Sequence, residues 1–344
     1  MKSNSTRRAA ITSLGLWAGG SPLLQAQADA PKLEGEPTGR ITPKGEVVNV
    51  FEVEAVAERK LAPAVYSTIA GSDRQAFDRI LLLPRRFVNV ERLDLSVELF
   101  GQQMFTPILV GPASNLKDVA PDGELAMMRG ASSAQATVVI SSRATQSIER
   151  MVSEAKTPPW YQVYVENDMA DVLNRVRQAV KAGCGVVCVT TGPHSALSWP
   201  LVDQVREAAN TPVVVKGIMS AKDALLAVDK GVQGIIVSNH GGPIQPGSSP
   251  IEILPSVVDA VGNRAPVLID GSVRRGTDIV KALALGARAV LVTRPTLWGL
   301  AAYGSDGVDV VLKMLQSETA RTMGNCSKVN VAALDRSLVR VVKR

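Results

Sequence analysis

Eight short apolar runs recur between residues 107 and 294 of this chain. They are Pro107–Pro112, Thr137–Ser142, Trp160–Val165, Gly185–Thr191, Pro212–Gly217, Gly234–Asn239, Pro266–Gly271 and Ala289–Arg294. Short runs rich in Val and Ile, bounded by turn residues, read as strands buried on both faces. Between them lie segments with helical spacing, such as Asp168–Ala182, Ala221–Lys230 and Thr277–Leu285. Ser220 and Thr277 stand where N-caps are expected. Doubly buried strands alternating with helices imply a parallel sheet. Eight such units predict an α/β fold of one closed (β/α)8 (TIM) barrel. A doubly wound open sheet is the competing arrangement, but no glycine fingerprint follows the first strand.

Composition narrows the function classes. Hydrophobic residues make up 46% of the 344 and charged residues 20%, which excludes a disordered chain. Aromatics are 4%, so the core is expected to be aliphatic. The net charge is +6, with no Lys/Arg run interleaved with aromatics, and this argues against nucleic-acid binding. A basic balance suits an anionic substrate or cofactor. Cys184, Cys188 and Cys326 match neither a zinc motif nor a disulfide framework.

The N-terminus reads as a leader. Ser5-Thr6-Arg7-Arg8 precedes an apolar stretch to Leu24 and then the small-x-small site Ala26-Gln27-Ala28. This pattern predicts a twin-arginine-type signal over residues 1–28, and export to the periplasm or beyond. A frayed basic tail on a cytoplasmic protein is the alternative. The apolar middle is short and contains Pro22, which argues against a permanent membrane span. Residues 29–47 read as a linker rich in Pro, Gly and charge. Residues 48–105 read as a lead-in, helical with interruptions to Ile80 and then carrying a short strand or hairpin. Residues 106–344 make up the barrel and a C-terminal helix.

In a barrel of this kind, function gathers at the C-terminal ends of the strands. The polar residues there are Ser114, Ser141, Gln162, Tyr164, Thr190, Lys216, His240, Asp270 and Arg294. Lys216 closes a run of three valines and needs a polar or anionic partner. His240, one of two histidines with His194, stands where a buried strand gives way to Gly241-Gly242. Its ordinary pKa suits proton transfer, although a structural histidine at a strand end is the alternative. A glycine-rich turn with Arg274 runs into the helix at Thr277, and Arg294 ends the eighth strand. Backbone N–H groups with two guanidiniums make an anion site, placed where this fold builds phosphate sites. Surface arginines on a tight turn are the alternative.

The blocks VVVKG, IIVSNHGG, IDGSVRRGTDIVKALALGA and RPTLWGLAAYG, with PRR, PDGE and WYQVYV, resemble the FMN-dependent α-hydroxy acid oxidase and dehydrogenase family from about residue 56 to 330. The resemblance implies an FMN site. Pro112, Ala113 and Ser114 would face the flavin ring. Ser141, Gln162 and Thr190 would hydrogen-bond its pyrimidine edge. Lys216 would place positive charge near N1 and O2. Asp270, Gly271, Ser272, Arg274 and Arg294 would hold the phosphate, with Thr293 standing where the family has glycine. His240 would be the base as hydride leaves the substrate for flavin N5, with Tyr164 hydrogen-bonded to the substrate. The implied partners are a small 2-hydroxy acid and an acceptor, either oxygen or an electron carrier. A homo-oligomer is implied as well. The chain also departs from the pattern. Pro243 replaces a carboxylate-clamping arginine, Gly192 replaces the aspartate beside the histidine, and Thr68 aligns with an active-site tyrosine, with Tyr66 two residues earlier. The family's second carboxylate-binding arginine, in the loop that follows, has no counterpart, and that loop, His194 to Thr211, is shorter than the family pattern. Each lost charge-assisted contact removes about 1.5–3 kcal/mol, so poor oxidation of glycolate and lactate is expected.

Overall fold

Strand parity decides how this chain closes. The structure, a computed structural model, describes residues 40–71, 74–85, 90, 92–164, 168–191, 198–242 and 248–342. The segments expected to be a leader and most of a linker, with Gly192, His194 and Pro243, lie outside the described residues. The lead-in forms helices Val50–Lys60, Pro63–Ile69 and Gln75–Asp78. Asn49 caps the first of these, its side-chain oxygen accepting from the backbone N–H groups of Phe51 and Glu52. Strand β1 (Ile80–Leu82) pairs antiparallel with the last strand of the chain, Val339–Val341. Strands β2 (Val97–Leu99) and β3 (Gln102–Met104) form a hairpin.

The eight expected runs are the eight barrel strands. They are β4 (Ile108–Val110), β5 (Thr137–Ser141), β6 (Trp160–Tyr164), β7 (Val186–Thr190), β8 (Val213–Ile218), β9 (Gly234–Val237), β10 (Val267–Asp270) and β11 (Ala289–Val292). All pair in parallel, and β11 joins β4 to close the ring. Alternate residues point inward, as the pleat requires. Leu109, Val139, Cys188, Val214, Ile236 and Leu268 fill the lower interior with Trp160. Two residues further along five of those strands, the same inward parity carries Ser141, Thr190, Lys216, Ser238 and Asp270. The hairpin plugs the opposite end, where Leu99 and Met104 join the inner cluster and the Phe100 ring meets Trp160 edge-on at 5.4 Å. Trp160 Nε1 donates to Gln102 Oε1 at 3.0 Å, so the indole is both buried and satisfied.

Helices cover the outside. Asp168 and Ser220 cap Met169–Ala182 and Ala221–Asp229 with side-chain oxygens. Thr277 does not cap its helix. That helix runs Gly276–Ala284, with Arg275 at the N-cap. Asp278 in its first turn accepts from the backbone N–H groups of Arg274 and Arg275, both at 3.0 Å. A carboxylate satisfies two orphan donors at the positive end of the helix, which a single hydroxyl inside the turn does less well. The long C-terminal element Arg294–Asn325 breaks at Tyr303–Gly304. Among the described residues, no helix is long and apolar enough to cross a membrane.

Candidate active site

Six of the nine polar residues at the strand ends, Tyr164, Thr190, Lys216, His240, Asp270 and Arg294, share one cleft that opens to solvent. Lys216, His240, Arg274 and Arg294 all line it. Tyr164, Thr190, Pro112 and Thr68 complete the wall, with Leu291 and Leu297 supplying apolar surface.

Lys216 sits at the bottom, 5% exposed. Its Nζ lies 2.8 Å from Asp270 Oδ2 and donates to Ser238 Oγ at 3.0 Å. Ser238 donates in turn to Asp270 Oδ2 at 3.1 Å and accepts from the His240 backbone N–H at 3.2 Å. Burial alone would depress the ammonium, but the charge and hydrogen bond of Asp270 outweigh it and hold the pKa above its ordinary value. Asp270 is therefore the counter-ion of Lys216.

The arginines are placed differently. Arg274 is 4% exposed. Its Nη1 donates to the Val273 carbonyl at 2.8 Å, and its Nη2 is buried without a hydrogen-bond partner. The guanidinium carbon lies 4.7 Å from the centre of the Trp298 ring. Burial first, and the charge of Arg294 second, depress the Arg274 pKa to about 10, while Glu54 and Asp278 pull it back up. Arg294 Nη2 donates to the Gly241 carbonyl at 3.3 Å. Two cations line the same wall, one of them buried and with an unused donor, an arrangement suited to an anion. Gly271 and Ser272 line the same wall, both with positive φ, so the turn passes close beneath it.

His240 stands at the rim with φ 57°. Burial, then the Lys216 charge, push its imidazole below the ordinary value. A hydrogen bond to the backbone of Thr191, and the charge of Asp270, oppose this. Deeper in, Ser141 Oγ donates to Gln162 Oε1 at 3.1 Å, leaving Gln162 Nε2 buried without a partner. Thr190 Oγ1 is buried with no partner beyond the weak thiol of Cys188. Ala113 and Ser141 line an adjoining apolar pocket, and Ser114 borders neither space. The Thr293 hydroxyl turns to Gly111, where a Cβ would lie 2.1 Å from it. Thr68 donates to the Val65 carbonyl at 2.7 Å. Tyr66 does not replace the missing tyrosine in the cleft, because its hydroxyl faces Glu54 at 3.4 Å. Sequence reasoning missed Ser238, Trp298 and Glu54. For Ser238 and Trp298 a signal was available: Ser238 has the inward parity, and Trp298 lies one helical turn beyond Arg294.

A model of the FMN-dependent dehydrogenases matches residues 66–192 and 191–341. The chain belongs to this family. Glycolate oxidase 1 of Oryza sativa subsp. indica is 34% identical to it, over 85% of this chain and 95% of that protein. The peroxisomal (S)-2-hydroxyacid oxidase GLO3 of Arabidopsis thaliana is 32% identical over 86% and 97%. Among solved structures, mandelate oxidase superposes with a TM-score of 0.80 at 31% identity, covering 86% of this chain and 98% of that one. Mandelate oxidase with (S)-2-phenylpropionate gives the same TM-score at 32% identity.

As a member of this family the protein is an FMN-dependent oxidoreductase, and its cleft fits the cofactor. The Arg274–Arg294 wall suits the phosphate. The unpartnered Gln162 Nε2 and Thr190 Oγ1 are a donor and a donor-acceptor, as the polar edge of an isoalloxazine requires. Among the described residues no His, Cys, Asp or Glu cluster could hold a metal ion.

Proposed function

We propose that this protein oxidises a CH–OH carbon of a small substrate in the cleft, with His240 as the base, and that it handles short 2-hydroxy acids poorly. The observation that carries the reading is the convergence of His240, Lys216 and the Arg274–Arg294 pair on one cleft. FMN, held by this cleft, would supply the two-electron acceptor for the hydride of the substrate carbon. His240 takes the hydroxyl proton. Its lowered pKa keeps it in the free-base form at neutral pH. Lys216 keeps a positive charge at the floor, although Asp270 compensates much of it. Tyr164 offers its phenol from the wall as a hydrogen-bond partner for the substrate. Oxygen is the acceptor that the oxidase relatives suggest, and a periplasmic carrier suits an exported form.

The wall supports weak carboxylate recognition. Thr68 lines it where the family pattern has tyrosine, and the threonine hydroxyl is turned back onto its own helix. Pro243 brings no arginine, and Arg206, in the stretch after His194, sits on a helix where Asp203 and the Lys230 carbonyl already hold it. A substrate less dependent on a carboxylate, in the same cleft, is therefore the second reading.

Purified protein is expected to be yellow. Anaerobic addition of glycolate or L-lactate is expected to bleach it slowly or not at all, and a screen of bulkier or uncharged 2-hydroxy compounds is expected to find a faster donor. Rapid bleaching by L-lactate would refute the weak-carboxylate reading. Replacing His240 with asparagine is expected to slow bleaching by the best donor about 10²–10⁴-fold while FMN stays bound. The twin-arginine leader is a separate proposal. Arg7→Lys with Arg8→Lys is expected to hold the precursor uncleaved inside the cell, and normal export would overturn it.

A further inference from the structure

The chain has Gly192 where the family pattern sets a carboxylate beside the histidine, so something else must orient the imidazole. The main-chain carbonyl of Thr191 lies beside the ring, since a Cβ on Gly217 would sit within 3 Å of both Thr191 O and His240 Nε2, and its influence on the imidazole favours the protonated nitrogen that faces it. The Thr191 peptide is itself clamped. Its backbone N–H donates to the Lys216 carbonyl at 2.8 Å, and its hydroxyl donates to the same oxygen at 3.2 Å. Gly217 follows Lys216 with φ 110°. A Cβ there would lie 2.3 Å from Thr191 Oγ1, 2.7 Å from Thr191 O and 2.8 Å from His240 Nε2. The carbonyl and the imidazole therefore meet in a space that exists only because residue 217 lacks a side chain. On its other side His240 is tied by its own backbone N–H to Ser238.

We propose that Thr191, clamped to Lys216 and given room by Gly217, is the positioning residue for His240, performing the orienting half of a carboxylate's task without the charge-stabilising half. The inference rests on the reading of His240 as the base. A carbonyl accepts from one ring nitrogen, so it fixes the tautomer and leaves the other nitrogen with its lone pair. Being neutral, it gives the imidazolium no counter-charge. The charged groups facing the ring are Lys216 from β8 and Asp270 from β10, which are paired with each other. Arg294 reaches the adjacent Gly241 carbonyl from the helix after β11. This environment disfavours protonation. The free base therefore persists as pH falls through the ordinary imidazole range, and the acid limb of the rate profile lies below 6.5.

The chain has two histidines, so nitrogen NMR of ¹⁵N-histidine-labelled holoprotein reads each ring directly, and His240→Asn assigns the signals. The expected result is one fixed neutral tautomer for His240, titrating below 6.5. Thr191→Val removes the hydroxyl half of the clamp and is expected to let the second tautomer appear, with Thr191→Ser restoring the single form. Gly217→Ala is expected to slow flavin reduction by about 10–100-fold through displacement of the ring, with the FMN absorption spectrum unchanged. If Gly217→Ala fails to fold, the Thr191 pair decides the matter. A wild-type His240 that averages both tautomers, a titration at or above 6.5, or a Thr191→Val spectrum identical to wild type overturns the proposal. Failure of every donor to reduce the flavin, with a fixed tautomer still seen, overturns the base reading and leaves the positioning intact.

Discussion

Arg274→Met separates stability from ligand binding at one residue. A guanidinium whose pKa has fallen from 12.5 to about 10 makes folding costlier by roughly 3 kcal/mol, at 1.36 kcal/mol per tenfold in proton affinity. The folded value is depressed, so the cost applies at every pH below about 10 and does not vary between pH 5 and 9. Stacking on Trp298 returns about 1–2 kcal/mol, and the bond to the Val273 carbonyl about 1. Methionine fills similar volume without the charge. The ligand-free variant is therefore expected to match or exceed the wild type by up to about 1 kcal/mol in urea unfolding. FMN binding is expected to move the other way. Losing a charge-assisted contact of about 1.5–3 kcal/mol weakens affinity roughly 10- to 150-fold. FMN at a hundred times the wild-type Kd stabilises the wild type by about 2.7 kcal/mol, and the variant by about 1.4 or less. Calorimetric titration and urea melts with and without FMN measure both quantities. A variant that loses 3 kcal/mol or more without ligand, yet binds FMN at wild-type affinity, would refute the reasoning.

The other perturbations probe the floor and the seam of the cleft. Lys216→Met strips the buried Asp270 of its partner and is expected to cost about 3–5 kcal/mol in unfolding experiments, much of it recovered when Asp270→Leu is added. Gly111→Ala drives a Cβ into the Thr293 hydroxyl and is expected to cost about 1–3 kcal/mol. The loss is expected to vanish in a Thr293→Gly background, and equal costs in both backgrounds would contradict the contact.

Most of the barrel was legible because a doubly buried strand leaves an unbroken apolar run that few other elements imitate. Seven of the eight runs contain their strands, with ends trimmed by a residue or two, and β8 outruns its run by one residue, Ile218. The Lys216–Asp270 pair left no mark in the sequence, because the two residues lie 54 positions apart and meet only when β8, β9 and β10 pair in turn. Thr277 misled because propensity names a capping residue without asking whether a neighbouring carboxylate captures the same donors first. The role of Thr191 left little trace in residue type, since the group that meets the ring is a peptide oxygen that every residue carries and the hydroxyl only helps to clamp it.

The seam between β11 and β4 joins stretches that emerge from the ribosome about 180 positions apart. Until Val292 is made and zipped against Val110, the cage has a missing stave and the two arginines have no shared wall. Yellow colour in a growing culture therefore reports finished, closed molecules, and a translation product cut short of the eighth strand stays colourless however much of it accumulates.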